Sequence, residues 1–395
     1  MRFRLAPTPA QEAALLEHCA HARFVWNLAC EQHGYWRPGR AGAPGYLEQC
    51  RQLTEARREF GWLAAGSQTV QQQALRDFAQ AMRNFFAGTH RRPTWRKSGR
   101  HEGFRIVGRR GVQWDVRRVS RRVGLVRIPK VGWVRFRWSR TVPDDVRSFR
   151  VNRDRAGRWH VAFAAIPKPV SGPGTGRVVG VDRGVAVSAA LSTGELLSVS
   201  GLREAEAKRL LRLQRRLARA KLGSNRRRRV KTVIARIKAR ETDRRKDWVE
   251  KTSTDLARRF DVIRVEDLKI RNMTRSARGT VDAPGRNVRA KAGLNRSIHA
   301  GGWGLLVTRL EQKAPDRIEK INPAFTSQTC YACGHRAAES RESQAAFRCR
   351  ACGHADHADV NAANNIAVGR TVTARGGRPV GGPANREPHL VLSSA

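Results

Sequence analysis

The chain is short of acid. It sets 33 aspartates and glutamates against 78 lysines and arginines, a formal net charge of +45 over 395 residues. A preference for arginine over lysine redistributes cations but does not create an excess of them. A chain this basic repels itself unless a polyanion neutralises it. Nucleic acid is the expected partner, because each neutralised phosphate releases a condensed counterion. Long apolar runs are also missing. There is no stretch of ~18 apolar residues, which excludes a helical membrane span, and the opening MRFRLAPTPAQ has no apolar core of the kind a secretory leader needs. We therefore expect a cytoplasmic, nucleic-acid-binding protein with no membrane partner and no small-molecule substrate. Cysteine is sparse and odd in number: of seven, Cys19, Cys30 and Cys50 are scattered through helical-looking sequence and read as reduced core thiols, which suits a cytosol. No internal repeat is found.

Periodicity divides what remains. Residues 1–5 alternate as a short strand would. In PTPAQEAALLEHC, Thr8 can cap a helix, Pro9 suits its first turn and Gln11 completes a capping box. Leu15, Leu16, Cys19, Phe24, Val25 and Leu28 follow with helical spacing, and helix continues to about residue 88. From about 103 the period becomes two. VGLVRIPKVGWVRFRW and SFRVNRDRAGRWHVAFAAI predict antiparallel strands with one dry face and one arginine-rich wet face. Trp114, Trp133, Trp138 and Trp159 lie in this region, and such a surface suits a nucleic-acid backbone. A small barrel core is the alternative place for each of those tryptophans.

IPKPVSGPGTG, residues 166–176, reads as a linker. Beyond it, RVVGVDRGVAVSAALSTGELLSV predicts two or three strands, the first a buried central one. Residues 201–260 predict two long helices broken near KLGSN; residues 201–250 hold 19 Lys+Arg and 6 Asp+Glu, a net +13. Leu210, Leu211, Leu213 and Leu217 offer a packing stripe, and the arginines a phosphate-facing surface. FDVIRVEDLKI is a second buried strand. Residues 271–293 read as a loose basic loop, RSIHAGGWGLLVTRLEQKA as one helix, RIEKINP as a strand, and 371–395 as a disordered tail.

Two sets of residues carry chemistry. Cys330-x-x-Cys333 and Cys349-x-x-Cys352 stand fifteen residues apart, the spacing of a zinc ribbon. Four thiolates close the shell, so this zinc is structural, and His335, His354 and His357 are not needed as ligands. The second set is acidic. Asp182 ends VVGVD and Glu266 ends DVIRVE, so each is carried to the rim of a sheet, while Asp359 opens a helix just past the ribbon. Three carboxylates from distant segments suit a pair of Mg²⁺ ions for phosphodiester hydrolysis. Taken singly, a strand-ending Asp is more often a turn former, and a helix-opening Asp a cap.

Several of these stretches together resemble the TnpB family, the OrfB-type insertion-sequence transposases related to type V CRISPR effector nucleases. They are RLAPTPAQ…ARFVWNLA, VVGVDRG, VIRVEDLKI, LNRSIHAGGWGLLVTRLEQKA and NPAFTSQTCYACGH…FRCRACGHADHADVNAANNI. The resemblance covers most of residues 1–370. It implies a multidomain α+β protein: an N-terminal helical domain plus an antiparallel β-barrel-like domain, then an RNase-H-like (RuvC) α/β nuclease domain with an inserted zinc ribbon. The boundaries expected are 1–10 with 101–166 for the wedge-like barrel, 11–100 for the helical recognition domain, 177–322 with 356–370 for the nuclease including the hairpin 201–260, and 323–355 for the ribbon. The family's three acids carry over to Asp182, Glu266 (not Asp267) and Asp359, with Asp356 a neighbour. The implied activity is Mg²⁺-dependent, RNA-guided DNA cleavage, with a guide RNA from the transposon end and a DNA target read by base pairing. A protein-only DNA-binding accessory factor and a non-cleaving RNA-guided regulator are the alternatives.

Overall fold

The computed structural model describes residues 1–36, 39, 42–166 and 168–369; the expected tail lies outside them. The described chain forms two compact units: Met1–Ile166 together with Leu210–Ile237, and the remainder. The first thus includes the far part of the hairpin that the sequence reading places wholly in the nuclease region. No helix among the described residues is long and apolar enough to cross a membrane.

The first unit opens with β1 (Arg2–Ala6) and α1 (Pro9–Gly34). The capping box forms: Thr8 Oγ1 accepts from the Gln11 amide at 3.3 Å, and Gln11 Oε1 accepts from the Thr8 amide at 3.1 Å, satisfying two of the three orphan donors left at a helix start whose Pro9 has no N–H. Then come α2 (Tyr46–Glu59), α3 (Gly61–Ala65) and α4 (Gln68–Phe86). Six more strands follow: β2 (Gly103–Val107), β3 (Asp115–Arg118), β4 (Val123–Ile128), β5 (Gly132–Arg137), β6 (Ser148–Arg153) and β7 (Trp159–Phe163). They make one antiparallel sheet in the order β2-β6-β7-β1-β5-β4-β3, so the first strand of the chain is wedged into its middle. Phe3 opposes Val161 and Leu5 opposes Phe136. Their side chains join a core shared with Leu15, Cys19 and Val25 of α1.

Periodicity alone does not separate the buried positions from the exposed ones. Phe24 and Leu28 keep the helical spacing but are half exposed. They line a shallow apolar groove with Phe60 and Trp62 instead of filling the core. Of the two places open to each tryptophan, Trp114 and Trp159 take the core and are buried. An indole brings a large apolar area to a core as long as its N–H finds an acceptor; that of Trp114 donates to the Gly108 carbonyl at 2.9 Å. Trp133 does meet the basic surface, with the Arg117 guanidinium 4.3 Å from its ring centre.

The second unit is built on a five-stranded sheet: β8 (Val178–Asp182), β9 (Ala189–Leu191), β10 (Leu196–Leu197), β11 (Val262–Glu266) and β12 (Ile318–Ile321), in the order β10-β9-β8-β11-β12. β8, β11 and β12 run parallel. Between β10 and β11 the chain forms the hairpin α5 (Glu204–Arg219) and α6 (Asn225–Arg259). Leu210 and Leu213 are buried, but Leu211 is 50% exposed and leaves the expected stripe. After β11 come α7 (Ile270–Met273), α8 (Val288–Gly301) and α9 (Trp303–Lys313). The single helix expected over 296–314 is therefore two, and the first of them begins inside the expected loop. The break is Gly302 at φ 72°, a left-handed conformation that glycine adopts without a Cβ penalty. β13 (Ala346–Arg348) and β14 (Ala355–His357) form a small hairpin that runs directly into α10 (Ala358–Val368).

Strand alternation sorts the two faces of this sheet. Val179, Val181, Ile263 and Val265 share one core with Val249 and Leu256 of α6 and Leu306 and Leu310 of α9. The alternate residues turn to the other face, toward α10. There Gly180 leaves no room: a Cβ on it would sit 2.0 Å from the Ala363 carbonyl. On the same face Arg264 donates to the Ala367 carbonyl at 2.5 Å.

Candidate active site

Two clusters of ligand-type side chains stand close together in the second unit. The first is thiolate. Among the described residues, Cys330, Cys333, Cys349 and Cys352 are the set whose donor atoms all lie within 4.8 Å of one another. Cys330 Sγ is 3.8 Å from Cys352 Sγ, and Cys333 Sγ is 3.6 Å from Cys349 Sγ. These spacings are far too long for a disulfide, about 2.05 Å. They suit the edge of a tetrahedron around an ion bound at about 2.3 Å, which is about 3.8 Å. Each knuckle closes the same way: the Gly334 amide bonds the Cys330 carbonyl at 2.8 Å, and the Gly353 amide the Cys349 carbonyl at 3.0 Å. Both glycines have positive φ, 78° and 72°. The thiol of Cys349 is pulled down to about 6, first by a bond from the Cys352 amide, while Cys352, despite a bond from the His354 amide, is pushed up to about 12 by the neighbouring thiols, so without an ion the cluster favours one thiolate over four. Donor set and spacing fit a tetrahedral zinc ion. His357 serves the helix instead of the ion. Its Nδ1 accepts from the Asp359 amide at 3.2 Å and caps α10.

The second cluster is carboxylate. Asp182 ends β8 and Glu266 ends β11; Val181 pairs with Val265, so the two acids sit side by side at the carboxyl edge of parallel neighbours. By alternation both face α10, and Asp359 stands in the first turn of that helix. Asp359 is 6% exposed and Glu266 9%. The carboxyl of Asp182 is held well above the usual carboxylate range, first by burial, then by the charges of Glu266 and Asp359, with Arg341 opposing. Asp182 therefore feels both of the other acids. The arrangement places excess negative charge in a poorly solvated pocket, which favours either a proton or a metal cation. Asp267 is not part of it: its carboxylate takes Lys269 at 2.5 Å. Nor is Asp356, whose carboxylate accepts from the His357 amide at 2.6 Å.

Three residues bonded to Glu266 or Asp359, and a further contact beside them, escaped the sequence reading. Arg341 donates to Asp359 Oδ1 at 3.1 Å. Thr326 donates to Glu266 Oε1 at 2.8 Å. Arg183, buried, donates to the Glu266 carbonyl. Trp303 donates to the Gly184 carbonyl at 3.1 Å, and a Cβ on Gly184 would stand 3.6 Å from Asp359 Oδ2. Arg183, Gly184, Trp303 and Thr326 all fall within stretches already singled out, but nothing in their local spacing marks them.

Three family models match the chain: one described as a helix-turn-helix domain over residues 1–33, one described as "Probable transposase" over 163–277, and a Cas12f1-like TNB domain over 303–366. Residues 1–33 fold here as one strand and one long helix. Over 404 residues the chain is 36% identical to "Putative RNA-guided DNA endonuclease InsQ" of Escherichia coli (strain K12), covering 100% of this chain and 98% of that protein. It is 30% identical over 385 residues to a "Putative RNA-guided DNA endonuclease" of Streptomyces pristinaespiralis, covering 95% and 90%. Its fold is similar to that of Cas12f1 solved by cryo-EM with sgRNA and target DNA, at a TM-score of 0.55 and 16% identity over 91% of this chain and 82% of that one. Matching InsQ from end to end and carrying the transposase model, the chain belongs to the OrfB-type insertion-sequence transposase family, TnpB.

Proposed function

We propose that this protein is a transposon-encoded, RNA-guided DNA endonuclease whose second unit is a RuvC-like nuclease of RNase-H type. The observation that carries the reading is the meeting of Asp182, Glu266 and Asp359 at one sheet edge, where two of the acids raise the proton affinity of the third. These residues are the ligands we assign to Mg²⁺. Their oxygens are hard donors suited to that ion. Bound Mg²⁺ would supply an activated water and charge stabilisation for the leaving oxygen. The chain's own part is to gather and orient the acids, with Thr326 on Glu266 and Arg341 on Asp359, while a bound cation would offset the repulsion that raises Asp182.

Cys330, Cys333, Cys349 and Cys352 hold structural zinc in our reading, and the ribbon of residues 323–355 fixes the start of α10 and so the place of Asp359. The net charge of +45 matches one bound RNA plus a DNA target. We assign the RNA to the transposon end and the reading of the target to base pairing. Residues 1–10 with 101–166, and the helices of 11–100, are then the grip on RNA and heteroduplex, and the bacterial nucleoid is the place of action.

The test is direct. Protein expressed with RNA from its own element is purified, the bound RNA is sequenced, and a randomised plasmid library is offered as target with Mg²⁺. Guide-dependent cutting that disappears in Asp182→Ala, with RNA still bound, is the expected result. A protein that binds DNA ends without RNA would instead be the accessory factor.

A further inference from the structure

Resting on that reading of the acids, we infer that Thr326 is a positioning residue for Glu266, and that the turn carrying it is the shared mount of Glu266 and Asp359. The turn spans residues 322–329, between the end of β12 and the first cysteine. Its backbone is over-determined. Asn322 Oδ1 accepts from the Ala324 amide at 3.0 Å. The Phe325 carbonyl accepts from the Gln328 and Thr329 amides at 3.0 and 3.1 Å, and from Thr329 Oγ1 at 2.9 Å. Phe325 itself sits at φ +65°, a conformation that a bulky residue adopts only at a cost and only where its surroundings enforce it.

What this constraint accomplishes is visible at the next residue. Thr326, 4% exposed, points its hydroxyl at Glu266 Oε1, 2.8 Å away. The same hydroxyl lies 3.2 Å from the Pro323 carbonyl. It has one proton, and the shorter, charge-assisted bond to the carboxylate takes it. The other side of the turn is tied to α10. Asn365 Nδ2 donates to the carbonyls of Thr326 and Thr329 at 2.9 and 2.7 Å. Asn361 Nδ2 donates to the Thr329 carbonyl at 2.8 Å, and its Oδ1 accepts from the Tyr331 amide at 3.1 Å. Both asparagines are buried. The strand that ends in Glu266 and the helix that begins with Asp359 are thus referenced to one another through a single turn, one hydroxyl on one side and two amides on the other. Residues that orient a metal-binding carboxylate typically change metal affinity by about 10- to 100-fold when lost.

Full-length RNA-loaded protein is titrated with Mn²⁺ by electron paramagnetic resonance, and target cleavage is followed against Mg²⁺ concentration. Thr326→Val keeps the shape and removes the hydroxyl. It is expected to weaken Mn²⁺ binding and raise the half-saturating Mg²⁺ about 10-fold, with the maximal rate largely recovered at high Mg²⁺ and bound zinc unchanged. Thr326→Ser, which keeps the hydroxyl, is expected to restore both. Wild-type Mn²⁺ affinity in the valine variant overturns the inference. Should that variant not fold, Thr326→Ala is read in the same way, and a loss of melting temperature shared by the serine variant overturns the inference in favour of a purely structural threonine. Glu266→Gln separates the two levels. If it binds Mn²⁺ and cuts like wild type, the nuclease site is wrongly assigned. If it loses both while Thr326→Val is unaffected, only the positioning role falls.

Discussion

The carboxylate cluster and the far end of the α5–α6 hairpin are unbalanced in opposite senses. Asp182, Glu266 and Asp359 share a pocket in which Arg341 is the cation that opposes their effect on Asp182. Residues 210–237 carry eleven lysines and arginines and no acid, and ten of those eleven are exposed. The base of the hairpin is different: there Glu206 takes Arg244 at 2.5 Å and Arg240 at 3.3 Å. The two regions call for ligands of opposite charge, a divalent cation in one and a polyanion on the other. The acids are gathered from three distant segments, so their charge is concentrated and geometric. The hairpin's cations lie in one contiguous run, and their charge is spread and tolerant of position. Removing one acid should therefore abolish a function, whereas removing one arginine should only scale it.

The largest effect tests the first half of that contrast. Asp182→Ala or Glu266→Gln should lower cleavage at least about 10³-fold while RNA retention is unchanged; a plasmid-cutting assay beside an RNA pull-down checks both. Next is the thiolate cluster, which shares the concentrated character of the acids. Cys330→Ser should lose bound zinc, read by atomic absorption, and lower the melting temperature by roughly 10 °C, with cleavage falling through the misplaced start of α10. For the hairpin, glutamine at Arg226, Arg228 and Arg229 together should weaken RNA binding and reduce its log–log salt slope by up to about 3, one per lost phosphate contact. Cutting at saturating RNA should be retained, and a loss as complete as that of Asp182→Ala would erase the contrast.

The smallest effect is one of pH. Asp182 has its folded-state carboxyl raised, so the folded protein holds that proton more tightly than the unfolded chain does. The resulting stability is complete below the unfolded value of about 3.9 and is lost as pH rises through the raised one. With Mg²⁺ omitted, the melting temperature of the wild type should fall relative to that of Asp182→Asn by a few degrees over that rise. Adding Mg²⁺ should remove the difference.

What is legible in the sequence follows from how local each signal is. The cysteine knuckles, the Thr8–Gln11 box and the buried strands ending in Asp182 and Glu266 are contiguous patterns, and the structure has each of them. Thr326, Arg341, Arg183 and the two asparagines of α10 have meaning only across gaps of tens of residues, and one chain carries no signal for such pairings. Leu211 shows a subtler failure: it satisfies helical spacing next to Leu210 and Leu213, yet neighbours on a helix face directions about 100° apart, and one of them had to turn outward. The GGWG stretch reads as continuous helix because a single glycine is tolerable there; the second one takes a left-handed turn instead.

Gly180 has a consequence of its own. It carries no donor, no charge and no ligand atom, yet α10 lies so near that a methyl group there would drive into the Ala363 carbonyl and the Ala367 amide. Gly180→Ala would work as a wedge under the helix, and the displacement would be felt a few residues away, where Asp359 begins that helix. A census of inactive variants in this protein should thus contain a position two residues before Asp182 at which nothing chemical is lost, only clearance.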